Sequence, residues 1–266
     1  MRVRMFIPAI EMTSDLHAAG LRDYEDFASF RNGDLVSQSG SAETRRFCIA
    51  TQAGQQHPCF FKRYAYRPPR FRTAFLEDKC SIEARNYETL RARCGVQVPD
   101  VIAFGSRRSG ARLCDAFILT RAVPDAVSLD AWLAENAKMH CGEARRARAR
   151  VMNQSAALVA RMHAAGFFHV DLQLRNILVS TTPTADLTLY LIDSARGRLA
   201  SGRIGRAYWR VRDLSSLYKG ARVHLSRSEL LRWLKSYLGV RRLTFSDREL
   251  VRTVWTDRRL KDRAPA

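Results

Sequence analysis

Residues 169–178 read His-Val-Asp-Leu-Gln-Leu-Arg-Asn-Ile-Leu, and this stretch decides the fold. An acidic residue, Asp171, is followed five residues later by a carboxamide, Asn176. An amphipathic helical pattern that ends at Gly166 precedes the stretch, and two apolar runs that end at Asp193 follow it. One loop therefore carries a carboxylate and a carboxamide between a predicted helix and a predicted hairpin.

The spacing in this loop matches the pattern His-x-Asp-Leu-x-x-x-Asn of the catalytic loop in protein kinases. In that pattern the Asp accepts the proton of the attacking hydroxyl and the Asn binds Mg²⁺. The match implies that Asp171 is the catalytic base and that Asn176 is a magnesium ligand. Asp193 takes the place of the Asp in the Asp-Phe-Gly motif, which implies a second magnesium ligand. Here Ser194 and Ala195 follow it, so only the Asp of that motif is retained.

Two histidines near the loop are interpreted as structural residues. His163 lies in the preceding helical pattern, and His169 opens the loop itself. We expect both side chains to brace the loop by packing and hydrogen bonding, and we expect neither to act as a general base.

Lys62 is predicted to lie on a strand, within the run Phe60-Phe61-Lys62-Arg63-Tyr64. In kinases a strand Lys holds the ATP phosphates, and a Glu from a helix pairs with this Lys. Glu83 and Glu88 are the two candidates for that Glu. Glu83 is preferred because Tyr87 and Leu90 follow it at i+4 and i+7 and share its helix face. Lys62 and Glu83 are therefore predicted to contribute to ATP binding.

The sequence contains no Gly-x-Gly-x-x-Gly motif. The turn Ser39-Gly40-Ser41, between two predicted strands, is the candidate turn that would cover the phosphates of ATP. Contact with ATP at Ser39, Gly40 and Ser41 would rely on backbone amides and on the two hydroxyl groups.

The hydrophobic pattern predicts an α+β fold with two lobes, residues 1–120 and 121–266. The first lobe is predicted to be an antiparallel β-sheet with one key helix, and the second to be mainly helical. In the first lobe we expect helices at 21–30 and 75–94 and strands at 34–38, 45–50, 59–64, 101–104 and 113–120, with a polar turn at 106–112. In the second we expect helices at 129–137, 143–165, 213–222, 227–238 and 246–256, a hairpin at 177–180 and 187–192, and a frayed tail from 258.

The chain is strongly basic, with 45 Lys and Arg against 26 Asp and Glu and a net charge of +19. Arginines gather at 145–150 and at 196–212. This charge indicates an anionic partner, and nucleic acid, phospholipid headgroups and phosphorylated glycolipids each fit it. No apolar run is long enough to cross a bilayer, and the run from Met5 to Ile10 is too short for a signal peptide. We therefore expect a cytoplasmic protein.

Several segments along most of the chain carry a family resemblance. They are Tyr24-Glu-Asp-Phe, Phe61-Lys62-Arg63-Tyr64, Glu83 with the later Gly95-Val-Gln-Val-Pro99, residues 169–178, Ile192-Asp193 and Arg212-Asp213-Leu214. Together they resemble the bacterial lipopolysaccharide core kinases, which phosphorylate heptose or Kdo sugars of the inner core and share the protein-kinase fold.

The resemblance implies ATP and Mg²⁺ as cofactors and a sugar hydroxyl as the acceptor. It implies that Asp213 buttresses the catalytic loop. It also implies a peripheral position on the cytoplasmic face of the inner membrane. The excess of arginine and the lack of a spanning segment predict salt-sensitive attachment to anionic bilayers. The expected partner is thus an anionic glycolipid, the lipopolysaccharide core, and no nucleic acid is expected.

Two other functions fit part of the pattern. An atypical protein kinase, including one that phosphorylates itself, would use the basic surface to dock an acidic protein or an RNA-bound partner. The segment between Asp193 and Asp213 is short for docking a peptide, which favours a sugar or small-molecule hydroxyl. A pseudokinase that serves as a scaffold would explain the missing glycine motif. The pseudokinase alternative is disfavoured by the presence of Lys62, Asp171, Asn176 and Asp193.

Overall fold

The computed structural model describes residues 2–52, 54–66, 77–136, 142–181 and 187–256. The chain forms two compact units. The first comprises Met1–Glu88 and Pro99–Val123, and the second comprises Thr89–Val98 and Pro124–Ala266. The predicted lobes are each continuous in sequence. The observed units are not, because residues 89–98 group with the second unit.

The first unit is built on a six-stranded antiparallel sheet with the order β1-β5-β6-β4-β3-β2. The strands are β1 (Arg2–Phe6), β2 (Asp34–Ser39), β3 (Ala42–Ala50), β4 (Gln56–Ala65), β5 (Val101–Ser109) and β6 (Arg112–Arg121). Two short helices, α1 (Thr13–Ala18) and α2 (Tyr24–Ser29), cover one face. Phe27 of α2 stacks on Phe117 of the sheet with ring centroids 4.5 Å apart, and both are fully buried.

The alternation of side chains along β4 positions Lys62. Cys59 and Phe61 belong to the core beneath α1 and α2, so the even-numbered Lys62 points to the opposite face of the sheet. A longer helix, α3 (Lys79–Cys94), supplies the partner of Lys62. Asp78 caps this helix by accepting a hydrogen bond from the Ser81 amide at 2.8 Å. The predicted start at residue 75 lies outside the described residues.

The predicted polar turn at 106–112 is wrong. β5 continues to Ser109 and β6 begins at Arg112, so that Gly110 and Ala111 form the whole turn. The polar residues stay in the strand because β1 pairs with them, and the Arg107 guanidinium binds the Asp115 carboxylate across the hairpin at 2.6 Å.

The second unit is mainly helical. Its helices are α4 (Leu129–Asn136), α5 (Gly142–Ala164), α6 (Arg203–His224), α7 (Arg227–Leu238) and α8 (Phe245–Thr256). Its strands are β7 (Ala126–Ser128), β8 (Phe167–Phe168), β9 (Ile177–Thr181), β10 (Leu187–Leu191) and β11 (Arg198–Leu199). They form a sheet of order β10-β9-β7 and a separate β11-β8 pair.

Helix α6 begins ten residues earlier than the prediction, at Arg203 instead of Asp213. Its N-cap is Gly202, at φ 75°, and no side chain caps the helix. The usual sequence signals of a helix start are therefore missing. The predicted turn at 182–186 and the tail from residue 258 lie outside the described residues. No helix within the described ranges has the length and hydropathy required to cross a bilayer.

Candidate active site

The loop that carries Asp171 contains a strained backbone. Val170 adopts a φ of 69°, a region that β-branched residues rarely occupy. A single 3₁₀ turn at Leu174–Asn176 follows and leads directly into β9. Because such a conformation costs roughly 1–3 kcal/mol, it persists only where the surrounding structure holds it.

Asp213 of α6 provides that support. One carboxylate oxygen accepts a hydrogen bond from the Val170 amide at 2.7 Å, and the other accepts one from the His169 amide at 2.8 Å. Asp213 is fully buried. The prediction that Asp213 buttresses the loop is confirmed.

A chain of hydrogen bonds ends at the Asp213 carboxylate oxygen that also accepts from the His169 amide. Arg210 Nε donates to the Tyr237 hydroxyl at 2.7 Å, and that hydroxyl lies 2.8 Å from His163 Nδ1. Burial raises the pKa of Tyr237, against the effect of Arg210, so the phenol keeps its proton. Because the Asp213 carboxylate oxygen can only accept, His163 Nε2 carries a ring proton and donates it to Asp213 at 3.2 Å. In that tautomer, Nδ1 accepts the phenol proton of Tyr237.

His169 has a separate bracing role. Its Nε2 lies 2.9 Å from the Ile192 carbonyl oxygen and therefore donates to it, and its side chain is buried. This bond ties the start of the catalytic loop to the end of the β9–β10 hairpin. Both histidines brace the loop, as the sequence predicts.

Asn176 and Asp171 are held together within the loop. The Asn176 carboxamide nitrogen donates to the Asp171 carbonyl oxygen at 2.8 Å, and Asn176 is buried. Gln173 donates through Nε2 to a carboxylate oxygen of Asp171 at 2.6 Å. Gln173 therefore orients the Asp171 carboxylate. Because Asp171 is only half-buried, the carboxylate is still accessible.

The chain segment that carries Asp193 is hydrogen-bonded to the segment that carries Asn176. The Ile192 amide donates to the Asn176 carbonyl oxygen at 2.9 Å. Asp193 itself has a φ of 57°, a left-handed conformation that Asp tolerates better than most residues. The structure thus brings Asp171, Asn176 and Asp193 together in one unit.

The donor set at this place suits Mg²⁺. Because the Asn176 nitrogen is committed to Asp171, its carboxamide oxygen faces away from that bond. One amide oxygen and the Asp193 carboxylate are hard oxygen ligands, and Mg²⁺ commonly takes one or two protein ligands together with phosphates and water. No group of three or more His, Cys, Asp or Glu side chains suitable for a metal occurs in the described parts of the chain. The Asn176 amide oxygen and the Asp193 carboxylate are a ligand set that fits a metal shared with phosphates.

The first unit contains the predicted ion pair. Lys62 Nζ lies 3.2 Å from Glu83 Oε2, and the other oxygen of Glu83 accepts a hydrogen bond from the Tyr87 hydroxyl at 2.9 Å. Glu83 is buried and Glu88 is exposed. Burial, followed by the negative charge of Glu83, raises the pKa of the neighbouring Cys80 thiol well above its usual value. Lys62 thus pairs with Glu83, as the sequence predicts, and a role of this pair in ATP binding stays a prediction.

The turn at Ser39–Ser41 is a tight hairpin connection between β2 and β3. Gly40, at φ 51°, and Ser41 form the two-residue turn, and Ser39 is paired with Ala42. The Ser41 carbonyl accepts from the Ala65 amide at 2.8 Å, which ties the turn to the end of β4. These contacts explain the hairpin, and a role for Ser39, Gly40 and Ser41 in nucleotide binding stays a prediction.

Three residues that support the loop are missing from the sequence-based set: Gln173, Arg210 and Tyr237. Gln173 lies within residues 169–178, and its position two residues after Asp171 could have indicated a contact with that carboxylate. Arg210 and Tyr237 reach the loop through His163 from distant helices. The local sequence gives no sign of that path.

The comparisons with known proteins agree with this geometry. The model of the lipopolysaccharide kinase (Kdo/WaaP) family matches residues 40–237. No curated protein matches the chain. Among solved structures, WaaP in complex with acyl carrier protein is similar, with a TM-score of 0.65 and 22% identity over 97% of this chain and 98% of that chain. This likeness confirms the predicted kinase-like α+β fold. Because the family model covers most of the sequence, this chain belongs to the lipopolysaccharide kinase (Kdo/WaaP) family.

Proposed function

We propose that this chain transfers the γ-phosphoryl group of ATP to a hydroxyl of a heptose or Kdo sugar in the lipopolysaccharide inner core. Membership of the family supports a kinase that acts on lipopolysaccharide. The single observation that carries the residue roles is the hydrogen-bonded arrangement of Asp171, Asn176 and Asp193.

Asp171 is the catalytic base in this proposal. Its carboxylate accepts the proton of the sugar hydroxyl as the hydroxyl oxygen forms a bond to the γ-phosphorus and the bond to the β-phosphate oxygen breaks. Gln173 orients one carboxylate oxygen, which leaves the other for the hydroxyl. Asn176 and Asp193 would hold Mg²⁺, which neutralises phosphate charge when bound.

Lys62 and Glu83 form the nucleotide-binding part of the proposal. The ion pair fixes the Lys62 ammonium group, and a fixed cation is suited to grip the phosphates of ATP. Backbone amides at Ser39, Gly40 and Ser41 would add donors to phosphate oxygens.

We also propose that the enzyme works at the cytoplasmic face of the inner membrane as a peripheral protein. The net charge of +19 suits a surface of anionic lipids and phosphorylated glycolipids. The acceptor of this family is itself a glycolipid, so contact with a membrane follows from the chemistry of the substrate.

An acyl carrier protein is a second proposed partner. WaaP is known in complex with an acyl carrier protein. Calorimetric titration of this chain with an acyl carrier protein tests the proposal, and we expect saturable binding. No detectable binding would contradict it.

The proposed reaction is tested with labelled ATP, Mg²⁺ and either dephosphorylated core glycolipid or a protein mixture. We expect label in the glycolipid. Label that appears only in protein would instead support the protein-kinase alternative. A mass spectrum of core glycolipid from cells with and without the gene should show the loss of one phosphate.

A further inference from the structure

The segment that follows Asp193 has an unusual composition. Up to Asp213 it contains no acidic residue, and it contains six arginines: Arg196, Arg198, Arg203, Arg206, Arg210 and Arg212. Three large apolar or aromatic side chains of the same segment are exposed, with exposed fractions of 49% for Leu199, 88% for Ile204 and 43% for Tyr208. Cationic and apolar side chains therefore share one short stretch of surface.

Several of these side chains share a helix face or contact the same indole ring. Ile204 and Tyr208 are four residues apart on α6 and lie on the same helix face. Tyr208 packs edge-on against Trp209 with centroids 4.9 Å apart, and the Arg198 guanidinium lies 4.4 Å from the centre of the same indole ring. We call the surface formed by Arg196, Arg198, Leu199, Arg203, Ile204 and Tyr208 the α6 entry patch.

The patch is attached to the chain that enters the catalytic loop. β11 pairs with β8, so that Arg198 lies opposite Phe168 and Leu199 opposite Phe167. The Ala200 amide donates to the Gly166 carbonyl oxygen at 2.9 Å. Residue 168 is followed directly by His169 of the loop. Whatever binds the patch is therefore held beside the chain that carries Asp171.

The start of α6 is also fixed. The Arg206 guanidinium donates to the carbonyl oxygens of His163 and Ala164, at 3.0 and 2.8 Å, at the C-terminal end of α5. A cation at this position satisfies helix carbonyls that have no partner within the helix. Arg206 is thus a structural residue and is not part of the patch. Its bonds keep Arg203 and Ile204 at a fixed place on the surface.

We propose that the α6 entry patch seats the enzyme on the anionic surface of the bilayer that carries its substrate. Arginine side chains bind lipid phosphates, and exposed aliphatic and tyrosine side chains enter the boundary between headgroups and acyl chains. The inference rests on the proposed function, because it assigns the patch to a lipid-anchored acceptor. Seating at this place brings the sugars of a glycolipid to the loop that carries Asp171.

Helix α5 offers a matched control. Arg145 and Arg146 are exposed arginines of the same unit, but no large apolar side chain in the described part of α5 is exposed. Removal of two charges there lowers the net charge as much as removal of Arg196 and Arg203. Val223, 76% exposed at the far end of α6, is the matching control for Ile204.

The test is co-sedimentation of the whole protein with vesicles of phosphatidylcholine with and without phosphatidylglycerol. We expect Arg196→Gln with Arg203→Gln to weaken binding to the anionic vesicles by about 10- to 30-fold. Arg145→Gln with Arg146→Gln should weaken it by less than about 3-fold. Ile204→Ser should weaken binding where Val223→Ser does not. Equal losses in patch and control variants, or no loss in the patch variants, would overturn the proposal.

Turnover separates this proposal from the proposed reaction. With delipidated core oligosaccharide as the acceptor, the Arg196 and Arg203 variant should turn over like the unaltered enzyme. With glycolipid embedded in anionic vesicles, it should be slower in proportion to its lost binding. If the unaltered enzyme phosphorylates neither acceptor, the proposed reaction fails, and the vesicle data still decide the role of the patch. Impaired turnover of the oligosaccharide would overturn the assignment of the patch to the membrane.

Discussion

The Asp213 carboxylate lies 2.7 Å from the Val170 amide and holds that residue in a left-handed conformation. Val170 stands directly before Asp171, so the geometry of the proposed base depends on a residue of α6. We predict that Asp213→Asn lowers kcat by about 100-fold, because an amide presents an N–H where an acceptor is needed and misplaces Asp171. Steady-state kinetics test this prediction. Unfolding should show a loss of about 1–3 kcal/mol. Unchanged kcat in a folded variant would contradict it.

For Asp171 itself, we predict that Asp171→Ala abolishes measurable turnover and leaves ATP binding within about 2-fold. The base acts on the acceptor and not on the nucleotide, and general-base catalysis contributes about 10²- to 10⁴-fold. Single-turnover kinetics and calorimetric titration with ATP measure the two effects. Full turnover in this variant would show that Asp171 is not the catalytic base.

Asp193→Ala should have the reverse signature. The loss of an oxygen ligand weakens ATP binding in the presence of Mg²⁺, whereas binding of ATP without Mg²⁺ should change little. Titration of ATP with and without the metal separates the two cases. Equal weakening under both conditions would indicate that Asp193 acts on something other than Mg²⁺.

The Lys62–Glu83 pair allows charge and stability to be separated. Lys62→Met leaves Glu83 buried beside Cys80 without its cation, and we expect a loss of about 3–5 kcal/mol in the free energy of unfolding. The double variant with Glu83→Gln should recover most of that stability. It should stay impaired in ATP binding, because it lacks the Lys62 ammonium group that is proposed to hold the phosphates. Thermal unfolding and nucleotide titration provide the two measurements. Restored ATP binding in the double variant would show that Lys62 does not grip phosphate.

Glu229 gives a prediction about pH. Burial raises the pKa of Glu229, but hydrogen bonds from Arg148 and Ser226 outweigh this effect and hold the pKa below its usual value. A depressed pKa contributes stability above the pKa of the unfolded state, about 4.3, and this stability is lost as the pH falls through the folded-state pKa. Glu229→Gln should therefore lower Tm at pH 7 and approach the parent Tm below about pH 4. Glu249→Gln, in an exposed pair with Arg252, is the control and should change Tm little. A constant difference at all pH values would contradict the prediction.

The parts of the site that could be predicted are those whose residues lie close together in sequence. One loop carries Asp171 and Asn176, and the hairpin that follows it ends at Asp193. This order in the sequence is enough to predict that the three residues belong to one site. Glu83 could be preferred over Glu88 because helical periodicity decides which face each occupies. These inferences depend on local geometry, and local geometry is what a sequence pattern encodes.

The parts that could not be predicted depend on pairing between distant segments. β1 forms only because it pairs with the end of β5, and that pairing keeps Ser106 and Arg107 in a strand where their polarity suggests a turn. Helix α6 begins at Arg203 without a capping side chain, since Arg206 and the β11–β8 pair anchor its first turn instead. Tertiary contacts override local propensity in both cases.

The pairing of β11 with β8 has a thermodynamic consequence. Residues 198–199 and residues 167–168 share backbone hydrogen bonds, so an order imposed on one segment reduces the conformational freedom of the other. Any ligand that stiffens Arg198 and Leu199 then lowers the entropic cost of ordering the loop at His169 when an acceptor binds. Linkage requires the effect to be reciprocal, so the acceptor must strengthen that ligand by the same factor. The four-residue β11–β8 pair can in this way make ligand binding at Arg198 and Leu199 cooperative with acceptor binding at the catalytic loop.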